Sequence, residues 1–362
     1  MNIKELLREP LKEFIAYKPG GKKVSVKEDV IEIIQLNANE NQLGPSPKAI
    51  EAMKKATELS QFYPFTFGQL ENARKFFADY HEVKPENIMI TAGSGGIISA
   101  LGEIFLNPND EVVSCEPTYD SYKAMVKRYG ATFVSAPLKD YRYDLNAMLE
   151  LMNEKTKLAI IVNPNNPTGT MLTNKELDDF MNKVPEHVIV VIDEAYFDWI
   201  GDPNYKSAID YVKQNKNVIV LRTFSKLYAM AGVRIGYGIM NGDICREMLN
   251  VEWNYSVSRI ALEGAMAAIQ DKEYIQRSLE NNTKGREYLT QILKKAGFDV
   301  VESYASFIYF YPNGFTSNEL VDKLGSYGVI IRAFKEYTRV SIGTPRQNEI
   351  FAKTLQKVLS EK

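Results

Sequence analysis

The chain has 362 residues, 44 Lys and Arg against 46 Asp and Glu, and only 2 His and 2 Cys. A net charge of −2 excludes a general basic field for nucleic acid or anionic membrane. Two cysteines build neither a disulfide framework nor a Cys-rich zinc site, and His81 and His187 stand too far apart in sequence to promise a multi-histidine metal centre, so no metal is expected and the proton shuttle of any enzyme here is something other than histidine. Residues 1–10 carry Lys4, Glu5, Arg8 and Glu9 in place of the apolar core of a secretory signal. No apolar run approaches the roughly 18 residues of a membrane helix, so the expected address is the cytoplasm, with no nucleic-acid or membrane partner.

At roughly 150 residues per domain the length suggests about two domains. Residues 111–114, 132–135, 158–162, 188–192, 218–221 and 235–239 read as strands, several of them near-continuous in Val and Ile, as strands covered on both faces are. Amphipathic stretches at 119–129, 174–182 and 205–215 lie between them, and this alternation predicts a mainly parallel α/β sheet. Beyond residue 254 the pattern changes to a long helical tract at 258–297, a strand at 307–311, a helix at 317–327, a strand at 339–342 and a final helix at 346–360. That reads as a smaller α+β domain. The expected division is 38–254 for the large domain and 1–37 with 255–362 for the small one.

Chemistry concentrates in five polar turns at strand ends, where open α/β sheets place ligands. Thr91-Ala92-Gly93-Ser94-Gly95-Gly96 precedes an apolar-periodic helix and offers open backbone N–H groups at a helix N-terminus, which suit a phosphate. It matches neither a P-loop nor a dinucleotide fingerprint. Glu116-Pro117-Thr118-Tyr119 offers an aromatic ring for a planar ligand. Asn163-Pro164-Asn165-Asn166-Pro167-Thr168-Gly169 is a stiff turn that holds an amide in one orientation. Asp193, before Glu194-Ala195-Tyr196, ends an aliphatic strand and is costly to bury without a cationic partner. Thr223-Phe224-Ser225-Lys226, followed by Arg234, places an amine among hydroxyls and a guanidinium that suit a phosphate. Each turn alone also fits an ordinary loop. Together they supply a nucleophilic lysine, an acid for a ring nitrogen, donors for a phenolic oxygen and a phosphate nest, which are the needs of pyridoxal phosphate.

These motifs, with Asn37-Ala38-Asn39-Glu40-Asn41, Gly44-Pro45-Ser46-Pro47 and residues 339–345, resemble the fold-type I, class I/II pyridoxal-phosphate-dependent aminotransferases, and most closely their histidinol-phosphate aminotransferase branch, from about Tyr17 to Leu359. The resemblance implies a three-layer αβα large domain. It implies Lys226 as the residue that forms an aldimine with the cofactor and then moves the substrate proton, and Asp193 as partner of the ring nitrogen. Asn166 and Tyr196 would bond the phenolic oxygen and Tyr119 would stack on the ring. Gly93, Ser94, Gly95, Thr223, Ser225 and Arg234 would hold the phosphate. Tyr63 would reach the phosphate of a neighbouring subunit, making a homodimer, while Tyr17, Asn39, Asn166, Arg332 and Arg339 would face the substrate. The implied reaction is ping-pong transamination between histidinol phosphate and 2-oxoglutarate, a step of histidine biosynthesis.

Two features depart from that branch. Glu252-Trp253-Asn254-Tyr255-Ser256-Val257-Ser258 replaces a Pro-Tyr-Asn-type stretch and is similar to threonine-phosphate decarboxylases, and Arg332 and Arg339 are separated by a short connection. Transamination of aromatic or other amino acids and decarboxylation of a phosphorylated amino acid therefore stand as the alternative reactions. Lysine as the proton shuttle suits a chain so poor in histidine.

Overall fold

The protein is described by a computed structural model covering residues 3–14, 24–251 and 255–361. Its centre is a seven-stranded sheet: β1 (Ile88–Thr91), β2 (Glu111–Glu116), β3 (Thr132–Pro137), β4 (Thr156–Val162), β5 (Ile189–Asp193), β6 (Val218–Thr223) and β7 (Gly236–Met240), in spatial order β1-β7-β6-β5-β4-β2-β3. All pairings are parallel except those of β7, which runs antiparallel to both β1 and β6. The period-2 alternation of strands sends successive side chains to opposite faces, and both faces are covered. Val190, Ile192, Val218 and Val220 pack into one core with Phe77, Met148, Phe180 and Leu262, whereas Val191, Ile219 and Leu221 pack into the other with Ile97, Leu101, Met125 and Met248. The result is helix, sheet, helix in three layers.

A second, antiparallel sheet of four strands follows, in the order Arg332–Phe334, Tyr337–Ser341, Phe307–Tyr311 and Asp299–Val300. Helices Lys272–Lys295, Ser317–Ser326 and Pro345–Ser360 cover it through Leu289, Leu293, Leu320, Leu324, Phe351 and Leu355. Ile34–Gln35 pairs in parallel with Val329–Ile330, which ties the early chain to this unit. Helix Arg259–Gln270, on the small-domain side of a division at residue 254, buries Ala261, Leu262 and Ala265 in the same core as the large sheet.

The structure departs from the sequence expectation in several places, the short strands Ile34–Gln35, Asp299–Val300, Val329–Ile330 and Arg332–Phe334 being additions. Strand β1 is added, too short to stand out before a glycine-rich turn. The segment at 235–239 does form a strand, reversed in direction, because a strand buried on both faces reads the same either way. The tract 258–297 breaks at Asp271, which ends one helix and whose carboxylate then accepts the N–H of Tyr274 at 3.4 Å to start the next. The helix expected at 205–215 shrinks to Ile209–Lys213, because Ser207 and the Ala208 N–H are bound to Glu194 instead.

Candidate active site

Because β1, β2, β4, β5 and β6 run parallel, their C-terminal ends share one edge of the sheet, and the five polar turns meet there in a cleft of about 270 Å³. Arg332 and Arg339 close it from the small sheet.

Alternation along β5 points Asp193 to the face covered by helix Ser121–Tyr129, where the Tyr122 hydroxyl donates to its Oδ2 at 2.9 Å and the Ala195 N–H donates to its Oδ1 at 3.0 Å. Burial pushes the Asp193 carboxyl upward, while the two hydrogen bonds and the charge of Lys226 pull it down. A carboxylate desolvated to this degree is stabilised most by a cation placed beside it. Lys226, partly buried in the turn after β6, donates from Nζ to the Ala38 carbonyl at 3.2 Å, and its Nζ lies 5.6 Å from the centre of the Tyr196 ring.

The helix expected after the glycine-rich turn is present as Ser94–Phe105, with Gly93 at its N-cap, φ 82°, and no side-chain cap on its first N–H groups. A Cβ on Gly93 would lie 2.6 Å from Arg234 Nη2, and one on Gly236 would lie 2.5 Å from the Ser94 nitrogen. Glycine therefore lets the Arg234 guanidinium lie against the helix N-terminus. Thr223 and Ser225 line the same end, and the Thr223 hydroxyl accepts the Ser225 N–H at 3.1 Å. An open helix N-terminus, two hydroxyls and a guanidinium form a cradle for a phosphate.

On the other side Asn39 Nδ2 donates to the Tyr196 hydroxyl at 2.9 Å, which leaves the phenol proton available to a ligand. Burial raises the Tyr196 phenol further from ionisation, against the charge of Arg339 and the bond from Asn39. Arg339 Nη1 donates to Asn166 Oδ1, so the Asn166 amide nitrogen is the atom left to face a ligand, and Nη2 donates to the Asn37 carbonyl at 2.9 Å. Arg332 and Arg339 are direct cross-strand partners, an arrangement of like charges that an anion stabilises. Asp120 stands at the same end, raised by burial and lowered by Arg332. Tyr119 lines the cleft and meets Tyr122 edge-on, with centroids 6.1 Å apart.

The cleft thus gathers Ser94, Gly95, Tyr119, Asn166, Asp193, Tyr196, Thr223, Ser225, Lys226, Arg234, Asn39, Arg332 and Arg339, with Gly93 behind Arg234. Tyr63 is not among them. It is 59% exposed and stacks on Phe65 at 5.5 Å and against Tyr255 at 4.8 Å. Tyr17 lies outside the described residues, as do Trp253 and Asn254. Tyr122 and the Ala38 carbonyl were not foreseen; the signal for Tyr122 is its place three residues after Tyr119, one turn along the same segment. The donor set fits pyridoxal phosphate: an acid for a protonated pyridine nitrogen, donors for a phenolate, a phosphate cradle and an amine.

The aminotransferase class I and II family matches residues 31–355. The histidinol-phosphate aminotransferase of Moorella thermoacetica is 36% identical over 361 residues, covering 98% of this chain and 93% of that protein. That of Akkermansia muciniphila is 35% identical, covering 99% of this chain and all of its own length (100%). The fold is shared with the crystal structure of histidinol-phosphate aminotransferase from Sinorhizobium meliloti in complex with pyridoxal-5'-phosphate, with a TM-score of 0.87, 23% identity and 98% of both chains covered.

Proposed function

The chain belongs to the class I and II aminotransferases, and from that we propose that it exchanges an amino group between histidinol phosphate and 2-oxoglutarate by a ping-pong route with pyridoxal phosphate. The observation that carries the reading is the meeting of Lys226, buried Asp193 and the Arg234-flanked helix N-terminus in one cleft. When bound, pyridoxal phosphate supplies an aldehyde on an electron-withdrawing ring. The side chains do the rest. Lys226 would move the proton between the substrate Cα and the C4′ carbon of the cofactor, a positioned base being worth about 10²–10⁴-fold. Asp193 keeps the ring nitrogen protonated, held in aim by Tyr122 and the Ala195 N–H. Tyr196 and the Asn166 amide donate to the phenolic oxygen, Tyr119 covers the ring face, and Ser94, Gly95, Thr223, Ser225 and Arg234 orient the phosphate. Both substrates of such a cycle bring an anion, a phosphate in one half-reaction and a carboxylate in the other, and the Arg332–Arg339 pair suits either.

The functional unit of this reading is a homodimer in which Tyr63 reaches the neighbouring cleft. Support comes from the outward set of Tyr63 and from the exposed aromatic rings that it meets, Phe65 and Tyr255. Among the described residues no helix is long and apolar enough to cross a membrane. A cytoplasmic address is supported by Cys115 and Cys245, both buried and unpaired.

The test is to load the purified protein with pyridoxal phosphate and offer histidinol phosphate, phenylalanine and threonine phosphate in parallel with 2-oxoglutarate. Glutamate formed fastest from histidinol phosphate is the expected result. A faster rate from phenylalanine, or carbon dioxide from threonine phosphate without amine exchange, overturns the substrate assignment.

A further inference from the structure

Directly behind the cleft lies a second cluster of charge that the reaction does not use. Alternation sends Glu194 and Arg222 to the sheet face opposite Asp193 and Thr223, each being the immediate chain neighbour of a cleft residue. Arg222 Nε and Nη2 both reach Glu194 Oε2, at 2.9 and 2.7 Å, and Nη1 reaches Asp198 Oδ1 at 3.1 Å. Its Nη2 also donates to the Ser207 hydroxyl at 3.1 Å, and its Cζ lies 4.1 Å from the centre of the Phe197 ring. Glu194 is completed by the Ser207 hydroxyl and the Ala208 N–H, both at 2.7 Å. The side chains of Arg222 and Glu194 are only 7% and 2% exposed.

We propose that Arg222 is a positioning residue of the active site: through Glu194 and Asp198 it fixes the segment that carries Asp193 and Tyr196 against the strand that leads to Thr223, Ser225 and Lys226. This rests on the aminotransferase reading of the cleft. A buried ion cluster is a poor device for stability alone, since well-packed apolar residues of similar volume do as well or better, whereas its directional bonds admit a single arrangement. That arrangement constrains the groups the cleft needs. Residues 194 and 198 bracket Tyr196, so holding both ends fixes the turn from which Tyr196 projects. Rotation of the β5 end that moves Glu194 on one face moves Asp193 on the other, and the same holds for Arg222 and Thr223 on β6. The two strand ends are hydrogen-bonded neighbours, with Asp193 opposite Leu221. The guanidinium therefore sets the spacing between the acid for the ring nitrogen and the turn that bears the lysine.

The experiment compares wild type, Arg222→Lys and Glu194→Gln as full-length protein loaded with pyridoxal phosphate. Lysine keeps the charge and loses the fork; glutamine keeps the shape and loses the charge. Four quantities are read: melting temperature, cofactor dissociation constant, the visible circular dichroism of the bound cofactor, and kcat and KM separately. Misplacement of reacting groups appears in kcat before KM, so Arg222→Lys is expected to lower kcat by about tenfold or more, to keep KM within about threefold, and to weaken the visible dichroism band. Glu194→Gln is expected to move the same quantities in the same direction, and it carries the test if Arg222→Lys fails to fold. A variant with a lower melting temperature but unchanged kcat and dichroism overturns the proposal and leaves the aminotransferase reading standing. A wild-type protein that shows neither the cofactor band nor turnover overturns the reading itself, and the proposal with it.

Discussion

Gly93→Ala isolates the phosphate cradle. At φ 82° and ψ 159° Gly93 sits in a region essentially closed to L side chains, at a cost of about 1–3 kcal/mol, and its Cβ would lie 2.6 Å from Arg234 Nη2 and 3.3 Å from Cζ. Arg234 is exposed, and the clashing atoms are the far end of its long side chain, so the guanidinium gives way by losing its 3.4 Å bond from Nη2 to the Ala92 carbonyl rather than by forcing the backbone apart. The displaced group is one that faces the phosphate, and a hydrogen bond to a charged group contributes about 1.5–3 kcal/mol, which converts to roughly 10- to 100-fold in cofactor affinity. Gly297→Ala is the control, with φ 79° and no atom within 4 Å of its Cβ, at a helix end beside the small sheet. Urea unfolding of the cofactor-free proteins should show a loss of about 1–2 kcal/mol in Gly297→Ala and at least as large a loss in Gly93→Ala. Titration with pyridoxal phosphate should show weaker binding in Gly93→Ala alone. Unchanged affinity in Gly93→Ala would refute the placement of the phosphate beside Arg234.

Two predictions concern groups away from the cleft. His81 Nε2 lies 2.8 Å from the Tyr237 hydroxyl, and burial, with the charges of Arg222 and Lys213, lowers its pKa to about 3. Between that value and about 6.5 the unfolded chain binds a proton that the folded chain refuses, so stability falls as pH drops through this window. By pH 5 the loss from this one group is about 2 kcal/mol, and His81→Gln should show a correspondingly smaller difference between its stabilities at pH 7 and pH 5. An equal acid sensitivity in the two proteins would show that His81 is not the group responsible. Burial also pushes the Cys115 thiol up to about 12 and that of Cys245 up to about 11. At pH 8 a thiol reagent should therefore count neither in the native protein and both in denaturant, and rapid native labelling would contradict their burial.

The cleft was legible in the sequence because open α/β sheets gather ligand groups at strand ends, and five such ends carried residues whose chemistry is hard to explain singly. Asp193 and Lys226 stood out since a carboxylate closing an aliphatic strand and an amine among hydroxyls are both unusual. Tyr122 escaped because its reach to Asp193 is a contact between a helix and a strand, which periodicity reports only as burial. Arg222 and Glu194 were hidden by their neighbours: in a strand the residue beside a functional one faces the other way, and nothing local shows that two such residues meet across β5 and β6. The direction of β7 was illegible for the same physical reason that made it readable as a strand, its burial on both faces. The break at Asp271 depends on one capping carboxylate inside a continuous helical pattern.

In the proposed function everything turns on Lys226 as the amine that engages the cofactor. Borohydride reduction of the protein mixed with pyridoxal phosphate, followed by peptide mass mapping, tests it directly. One pyridoxyl group, on Lys226, is expected, and none in Lys226→Ala. A stoichiometric adduct on another lysine, or undiminished labelling of Lys226→Ala, would contradict it.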